Sequence, residues 1–344
     1  MIPTSDKAWV VYSPDYYITF KVIPNHVFPV EKYRLVYQQL TGEGTLDADE
    51  VVEPSPVTDE DVLLVHQPSY IERLRDMARQ GLGFLTTDTP VTAEILRAVW
   101  LGTGGTILAG RLALQRGIGV NLCGGFHHAF AGHGEGFCYI NDVAIAIRRL
   151  QREGLIERAA VIDCDLHHGN GTASIFYGDP TVFTFSIHEE DNYPLVKPPS
   201  DIDAGLNAGT DDETYLRHLR RHVPTILKNH RPHLVIYLAG ADPYRHDQLG
   251  HLSLTIDGLK RRDEFVLTCA RERDVPVCIV LAGGYAHDTR DVVEIHCNTV
   301  RTAKAMWRSD NMSLGGHHAA PQSSSSSVVC KFDDEDDCGR GETC

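Results

Sequence analysis

One run of residues constrains this chain more than any other: Asp163-Cys164-Asp165-Leu166-His167-His168-Gly169-Asn170. It follows the apolar run Ala159-Ala160-Val161-Ile162, which reads as a buried strand. Polar, metal-competent side chains therefore crowd the point where a strand ends and a loop begins. Asp165 and His167 are two residues apart, so in extended chain both point to the same side. Charged groups this close to an apolar strand cost free energy unless something pairs with them. A divalent cation is the natural partner.

Other short apolar runs read as strands: Trp9 to Tyr12, Ile118 to Leu122, Val182 to Ser186, Leu234 to Leu238 and Val277 to Leu281. Their continuous apolarity suits a sheet covered on both faces. Helical patterns lie between them. They run over Ala93 to Gln115, from Asn141 or Asp142 to Arg152, onward from Asp211 or Asp212, over Asp257 to Arg273 and over Asp291 to Trp307. The alternation predicts an α/β fold, a single three-layer domain whose central, mainly parallel sheet is flanked by helices. This domain is expected over residues 1–308. A Ser-rich, acidic stretch over 309–344 cannot bury enough apolar surface to order itself. Its His317-His318 pair and Cys330, Cys338 and Cys344 read as parts of that polar tail rather than as a metal site.

The formal net charge of -15 argues against a nucleic-acid ligand, which needs a basic face. It is compatible with cationic substrates. Nine cysteines are scattered with no C-x-x-C pair. No signal peptide and no apolar run of about 18 residues appear. The expectation is a cytoplasmic protein with free thiols and no membrane association, or a nuclear one if the source is eukaryotic.

The chemistry gathers at four strand ends. Gly124-Gly125-Phe126-His127-His128 follows the strand ending at Leu122, and the Asp163 to Asn170 run follows Ile162. Ala239-Gly240-Ala241-Asp242 follows Leu238, and Ala282-Gly283-Gly284-Tyr285 follows Leu281. In a parallel sheet all four meet at the C-terminal edge, where open α/β folds bind ligands. Asp242 then supplies a third ligand beside Asp165 and His167, leaving one position of a tetrahedral ion open, as in catalytic zinc sites. The same donors also suit Fe(II), Mn(II) and Co(II). Asp163 and Asn170 are available to hold one each of His127 and His128, the first making its imidazole more basic, the second leaving its imidazole less so. Two imidazoles tuned apart suit proton removal from water and proton delivery to a leaving amine. Tyr285, after two glycines, suits a hydrogen bond to a developing oxyanion.

These residues carry a resemblance. Gly125 to Ala129, Gly136 to Asp142, Asp163 to Thr172, Ala239 to Pro243 with Asp247 to Gly250, and Gly283 to Tyr285 together resemble the zinc-dependent histone deacetylase family, on the arginase/deacetylase fold. The stretches His26 to Lys32, Asn192-Tyr193-Pro194 and Ser200 to Asp203 look most like its bacterial or class IV-like branch. The resemblance implies one zinc on Asp165, His167 and Asp242. It implies His128 as general base and acid with Asn170 behind it, His127 paired to Asp163, and Tyr285 on the tetrahedral intermediate. It further implies that Phe137 and Tyr193 wall a channel for a lysine stem, that the Gly136 carbonyl meets the amide, and that Asp88 grips substrate backbone at the rim. A potassium ion is implied on Asp163, Asp165, the His167 carbonyl, Ser186 and the Ile187 carbonyl. Asn170 stands where some branches have Asp, and Phe126 replaces a common Trp. Leu249 is apolar where polyamine-selective relatives carry an acidic gatekeeper. The implied activity is hydrolysis of N-ε-acyl-lysine in proteins or peptides. Its rivals are an acetylpolyamine or other small-amide hydrolase and a non-hydrolytic acyl-lysine binding module. A two-metal ureohydrolase is disfavoured because its second His-Asp set is incomplete.

Overall fold

Successive residues of a strand point to opposite faces, so strands that are apolar throughout need cover on both sides. The computed structural model describes residues 7–17, 20 and 23–314, with side chains through Met306. The first described elements are β1 (Val10–Val11), α1 (Lys32–Gly42), β2 (Val51–Val52), α2 (Asp59–Val62) and α3 (Pro68–Arg79). An antiparallel hairpin of β3 (Gly83–Thr86) and β4 (Thr89–Val91) leads to α4 (Ala93–Arg116) and β5 (Ile118–Asn121). From there come α5 (Asp142–Arg152), β6 (Ala159–Asp163), α6 (Asn170–Phe176), β7 (Val182–Glu189), β8 (Ile202–Leu206) and α7 (Asp212–His230). The series ends with β9 (Leu234–Leu238), α8 (Ile256–Arg271), β10 (Val277–Val280) and α9 (Thr289–Leu314).

The main sheet has the order β2-β1-β5-β10-β9-β6-β7-β8, and every pairing in it is parallel. Alternate residues feed two separate cores. Ile162, Val235, Tyr237 and Ile279 join one, with α1, α7, α8 and α9. Val161, Ile236, Leu238 and Val280 join the other, with α4 and α5. This is the expected three-layer α/β domain. Close contact of α4 with β5 depends on Gly119, where an added Cβ would lie 2.1 Å from the Ala109 carbonyl oxygen. Side-chain caps start the helices: Thr92 accepts from the Ile95 N–H, Asn141 from Ala144, Asp211 from Thr214 and Thr255 from Gly258.

Register aligns the chemistry. Asp163, the last residue of β6, sits opposite Ser186 of β7 and Leu238 at the end of β9. Val280 of β10 faces Leu238 on one side and Asn121 on the other. The four motif-bearing loops therefore leave the sheet at one edge.

Some elements escape the apolar-run reading. β8 is an edge strand with alternating exposure, and β2 is two residues long. The last helix continues past Trp307 to Leu314, so residues 309–314, expected in the tail, extend it. No Pro or Gly interrupts the chain before Gly315-Gly316, which explains the extension. His317, His318, Cys330, Cys338 and Cys344 lie outside the described residues. The six described cysteines are free thiols, and all are buried. Among the described residues no helix is long and apolar enough to cross a membrane.

Buried neutral histidines make this fold acid-sensitive. Burial pushes His66 down to about 4 and His188 to about 3, and the His66 Nε2 accepts from the Asn141 N–H at 2.9 Å. Below pH 6.5 the unfolded chain takes up protons that these folded imidazoles refuse, so stability falls as pH drops toward 4. The loss for His66 is on the order of 3 kcal/mol at most. Thermal melts across pH 4 to 7 should show a falling Tm, with a shallower slope for His66→Gln, which keeps an acceptor for Asn141.

Candidate active site

The loop after β5 must turn sharply to present two adjacent imidazoles. The buried carboxylate of Asp142, at the start of α5, accepts from the Gly125 and Phe126 N–H groups at 3.0 and 2.6 Å and holds that turn. His127 and His128 then face different partners. His127 Nδ1 lies 2.7 Å from Asp163 Oδ2, and His128 Nδ1 lies 2.7 Å from Asn170 Oδ1. The two environments separate their basicity. Burial alone would lower His127, but the Asp163 and Asp165 charges outweigh it and raise it to about 9. Burial, and then the neighbouring His127 and His167, hold His128 well below the ordinary imidazole value.

Asp165, His167 and Asp242 come together from the ends of β6 and β9, each offering a ligand atom within 4.8 Å of the others. His167 Nδ1 lies 3.2 Å from Asp165 Oδ1 and 3.3 Å from Asp242 Oδ2. Each carboxylate is anchored through its other oxygen. Gly283 N–H donates to Asp165 Oδ2 at 2.8 Å, and Leu166 N–H donates to Asp242 Oδ1 at 3.0 Å. Asp242 Oδ2 is buried and makes no hydrogen bond. Burial opposes charge on His167, yet the flanking carboxylates raise it to about 10, so the site calls for a positive charge between its two aspartates. An orphaned carboxylate oxygen beside a second carboxylate and an imidazole fits a divalent cation. A second grouping, His168, His188 and Asp203, differs in being satisfied at its carboxylate. Asp203 accepts from His168 Nε2 and from the Ser200 N–H, both at 3.0 Å.

A cavity of about 360 Å³ opens onto this centre. Asp88, His128, Gly136, Phe137, His167 and Tyr193 line it, with Leu249 and Tyr285. Gly136 is at φ 54°, and a Cβ there would fall 2.4 Å from the His128 ring, so only glycine lets this strap cross the imidazole. The Gly136 carbonyl accepts from the Cys138 thiol at 3.3 Å. Asp88 borders the cavity, with its Oδ1 accepting from Thr86 at 2.6 Å. The Tyr285 N–H donates to Asp247 at 2.7 Å, which fixes the residue's backbone at the pocket. Of the residues implied for potassium, Asp163 and Ser186 face each other across β6 and β7, while the Ser186 hydroxyl pairs with His188 Nδ1 at 3.0 Å. Ile187 follows Ser186 within β7.

Two buried basic residues lie behind the site: Arg262 is in no motif, and Lys32 ends the His26 to Lys32 stretch with no role implied for it. Arg262 of α8 is fully buried, and its Nη1 donates to the Gly240 carbonyl at 2.6 Å and the Cys164 carbonyl at 3.2 Å. It thereby ties together the backbones that carry Asp242 and Asp165. Asp263 neutralises it and accepts from the Tyr237 hydroxyl at 2.5 Å. Lys32 of α1 is also fully buried and donates to the Ala282 carbonyl at 2.6 Å. Burial lowers it to about 8 against the pull of Asp242 and Asp165. Both residues look like ordinary surface cations of amphipathic helices in the sequence. A buried position on the helix face was the only signal, and it needs the neighbours to be seen.

Carboxylates and imidazoles at the C-terminal edge of a parallel sheet, under an aromatic-walled cavity, define a hydrolase-like α/β site with a candidate metal centre. Residues 26–302 match the histone deacetylase domain. An uncharacterized protein of Picosynechococcus sp. is 40% identical, with the match covering 87% of this chain and 99% of that one. Histone deacetylase 2 of Arabidopsis thaliana is 33% identical over 85% of this chain and 78% of its own length. The acetoin utilization protein AcuC of Bacillus subtilis is 32% identical over 80% and 76%. In structure, the HDA15 HD domain superposes with a TM-score of 0.77 at 22% identity, covering 87% of this chain and 90% of that one, which supports the shared fold. The chain belongs to the histone deacetylase family, and a bacterial branch agrees with these relatives.

Asp242→Asn removes half the charge that calls for a cation. The purified variant should bind at least tenfold less zinc than the native protein after equilibration in zinc buffer, as read by elemental analysis. Equal zinc content in the two proteins would remove Asp242 from the ligand set.

Proposed function

We propose that this protein hydrolyses the amide of N-ε-acyl-lysine in proteins or peptides, releasing a carboxylate and the lysine amine, with zinc held by Asp165, His167 and Asp242. One observation carries the reading: a single cavity is lined at once by the aromatic rings of Phe137 and Tyr193, by His128 and Tyr285, and by the ligand candidate His167. When bound, the ion would supply Lewis-acid polarisation of the acyl carbonyl and of the attacking water.

The chain's own groups account for the proton traffic. His128, kept neutral, takes a proton from water as the water oxygen attacks the carbonyl carbon, and returns it to the departing amine nitrogen as the C–N bond breaks. His127, kept cationic by Asp163, contributes positive charge beside the reacting centre rather than a proton. Burial, then the Asp165 and Asp242 charges, hold the Tyr285 phenol well above its usual value. It stays protonated and donates to the developing oxyanion. The apolar stem of the lysine fits between Phe137 and Tyr193, Leu249 keeps that wall apolar, and the Gly136 carbonyl and Asp88 hold the amide and the flanking backbone. Potassium on Asp163, Asp165, the carbonyls of His167 and Ile187, and Ser186 belongs to the same proposal, supported by the Asp163–Ser186 pairing.

The deciding assay offers peptides carrying acetyl-, propionyl- and long-chain acyl-lysine, beside acetylspermidine, with and without chelator. Acyl-lysine turnover should exceed polyamine turnover, vanish on chelation and return with added zinc. Faster hydrolysis of acetylspermidine would replace the acyl-lysine reading, and zinc-loaded protein without turnover would favour a binding module. Tyr285→Phe should lower kcat by roughly 10²-fold, on the scale of a lost oxyanion donor. Native kcat in that variant would take the phenol out of the reaction.

A further inference from the structure

Asn170 cannot supply the negative charge that an aspartate would place behind His128, but its amide is itself held. Asn170 Nδ2 donates to Glu135 Oε1 at 2.5 Å, and the Gly171 N–H donates to Asn170 Oδ1 at 3.0 Å. A carboxylate only accepts, so the amide must turn its NH₂ toward Glu135. Its oxygen then faces His128 Nδ1 at 2.7 Å. That oxygen also only accepts, so Nδ1 must carry the ring proton, which leaves the lone pair on Nε2. The Tyr193 ring lies edge-on to His128 with centroids 5.0 Å apart. His133 Nε2 is 3.7 Å from the other Glu135 oxygen, Oε2. The Glu135 side chain is 26% exposed, whereas Asn170 is 1% exposed, so the carboxylate reaches the buried imidazole through the amide.

We propose that Glu135 is a positioning residue for the reaction: through Asn170 it selects the Nδ1-protonated tautomer of His128. The inference rests on the reading of His128 as the proton-transfer group. An orienting partner of this kind sets which ring nitrogen can act as a base, and a wrong tautomer is costly to kcat. The geometric role requires an acceptor oxygen at this position, not specifically a charge, and this separates it from a general electrostatic effect.

Two variants test it, with acetyl-lysine peptide as substrate. Glu135→Ala should lower kcat roughly tenfold or more with unchanged zinc content. Glu135→Gln, whose carbonyl oxygen can still accept from Asn170, should restore kcat to within about threefold of native. Long-range ¹H–¹⁵N spectra of the zinc-loaded protein read the His128 tautomer without any turnover. They should show Nδ1–H in the native and Gln forms and a mixture in the Ala form. A native tautomer and native kcat in Glu135→Ala would overturn the proposal, as would a Gln variant as impaired as Ala. If the native protein proves inactive on every acyl-lysine, the deacylase reading fails, and the tautomer spectra still decide the role of Glu135.

Discussion

The carboxylate of Asp165 is the point at which the separate strand ends become one site. Its Oδ1 accepts from the His167 backbone N–H at 3.0 Å and faces the His167 ring, while its Oδ2 accepts from Gly283 beyond β10. Asp163, two residues earlier, accepts from the Asp165 N–H at 3.1 Å. A charge buried this completely is tolerable only with donors on every side. Those donors are loop amides whose positions are set by the parallel register of β6, β9 and β10. The sheet thus prepays the cost of gathering the carboxylates, and the remaining deficit of positive charge is what a cation would fill.

Behind the carboxylates, the fold answers charge with charge. Arg262 binds the carbonyls of Cys164 and Gly240, one residue before Asp165 and two before Asp242. Lys32 sits under Ala282 among the rings of Phe28, Tyr33 and Tyr285. These cations hold the loop backbones rather than the carboxylates themselves. Asp242 Oδ2 is accordingly left without a hydrogen bond at the centre of the site. In front, the same economy separates two chemically identical side chains. The carboxylates near His127 outweigh burial and raise its basicity, whereas burial holds His128, beside an amide, low. That difference suits the pair to the separate roles proposed for them.

Much of this was legible along the chain because it is local. Continuous apolar runs such as Leu234 to Leu238 have few alternatives to a covered strand. Asp165 and His167 are legible as a donor pair just past a strand, but β6 ends at Asp163 and the bend after it, not strand alternation, brings them together. Asn141 and Asp211 cap helices with their own side chains, and their positions before apolar-periodic stretches announce it. Other features were hidden because they depend on partners far away in the chain. β8 has two of its five residues exposed and is a strand only because β7 offers an edge. Nothing in the run Gly134-Glu135-Gly136 says that its carboxylate reaches an asparagine on α6. Arg262 and Lys32 are charged residues on helices, which usually face water.

The sequence by itself determined the donor types and their order: which side chains can hold a cation, which can move a proton, and that each follows a strand. It could do so because side-chain chemistry and strand periodicity are properties of neighbouring residues. Only the tertiary structure decided which donors face one another, which of the paired histidines meets the carboxylate, and which cations are buried to hold the loops. Those outcomes depend on sheet order and register, and so on distances between residues more than a hundred positions apart, as between Asp165 and the Gly283 amide.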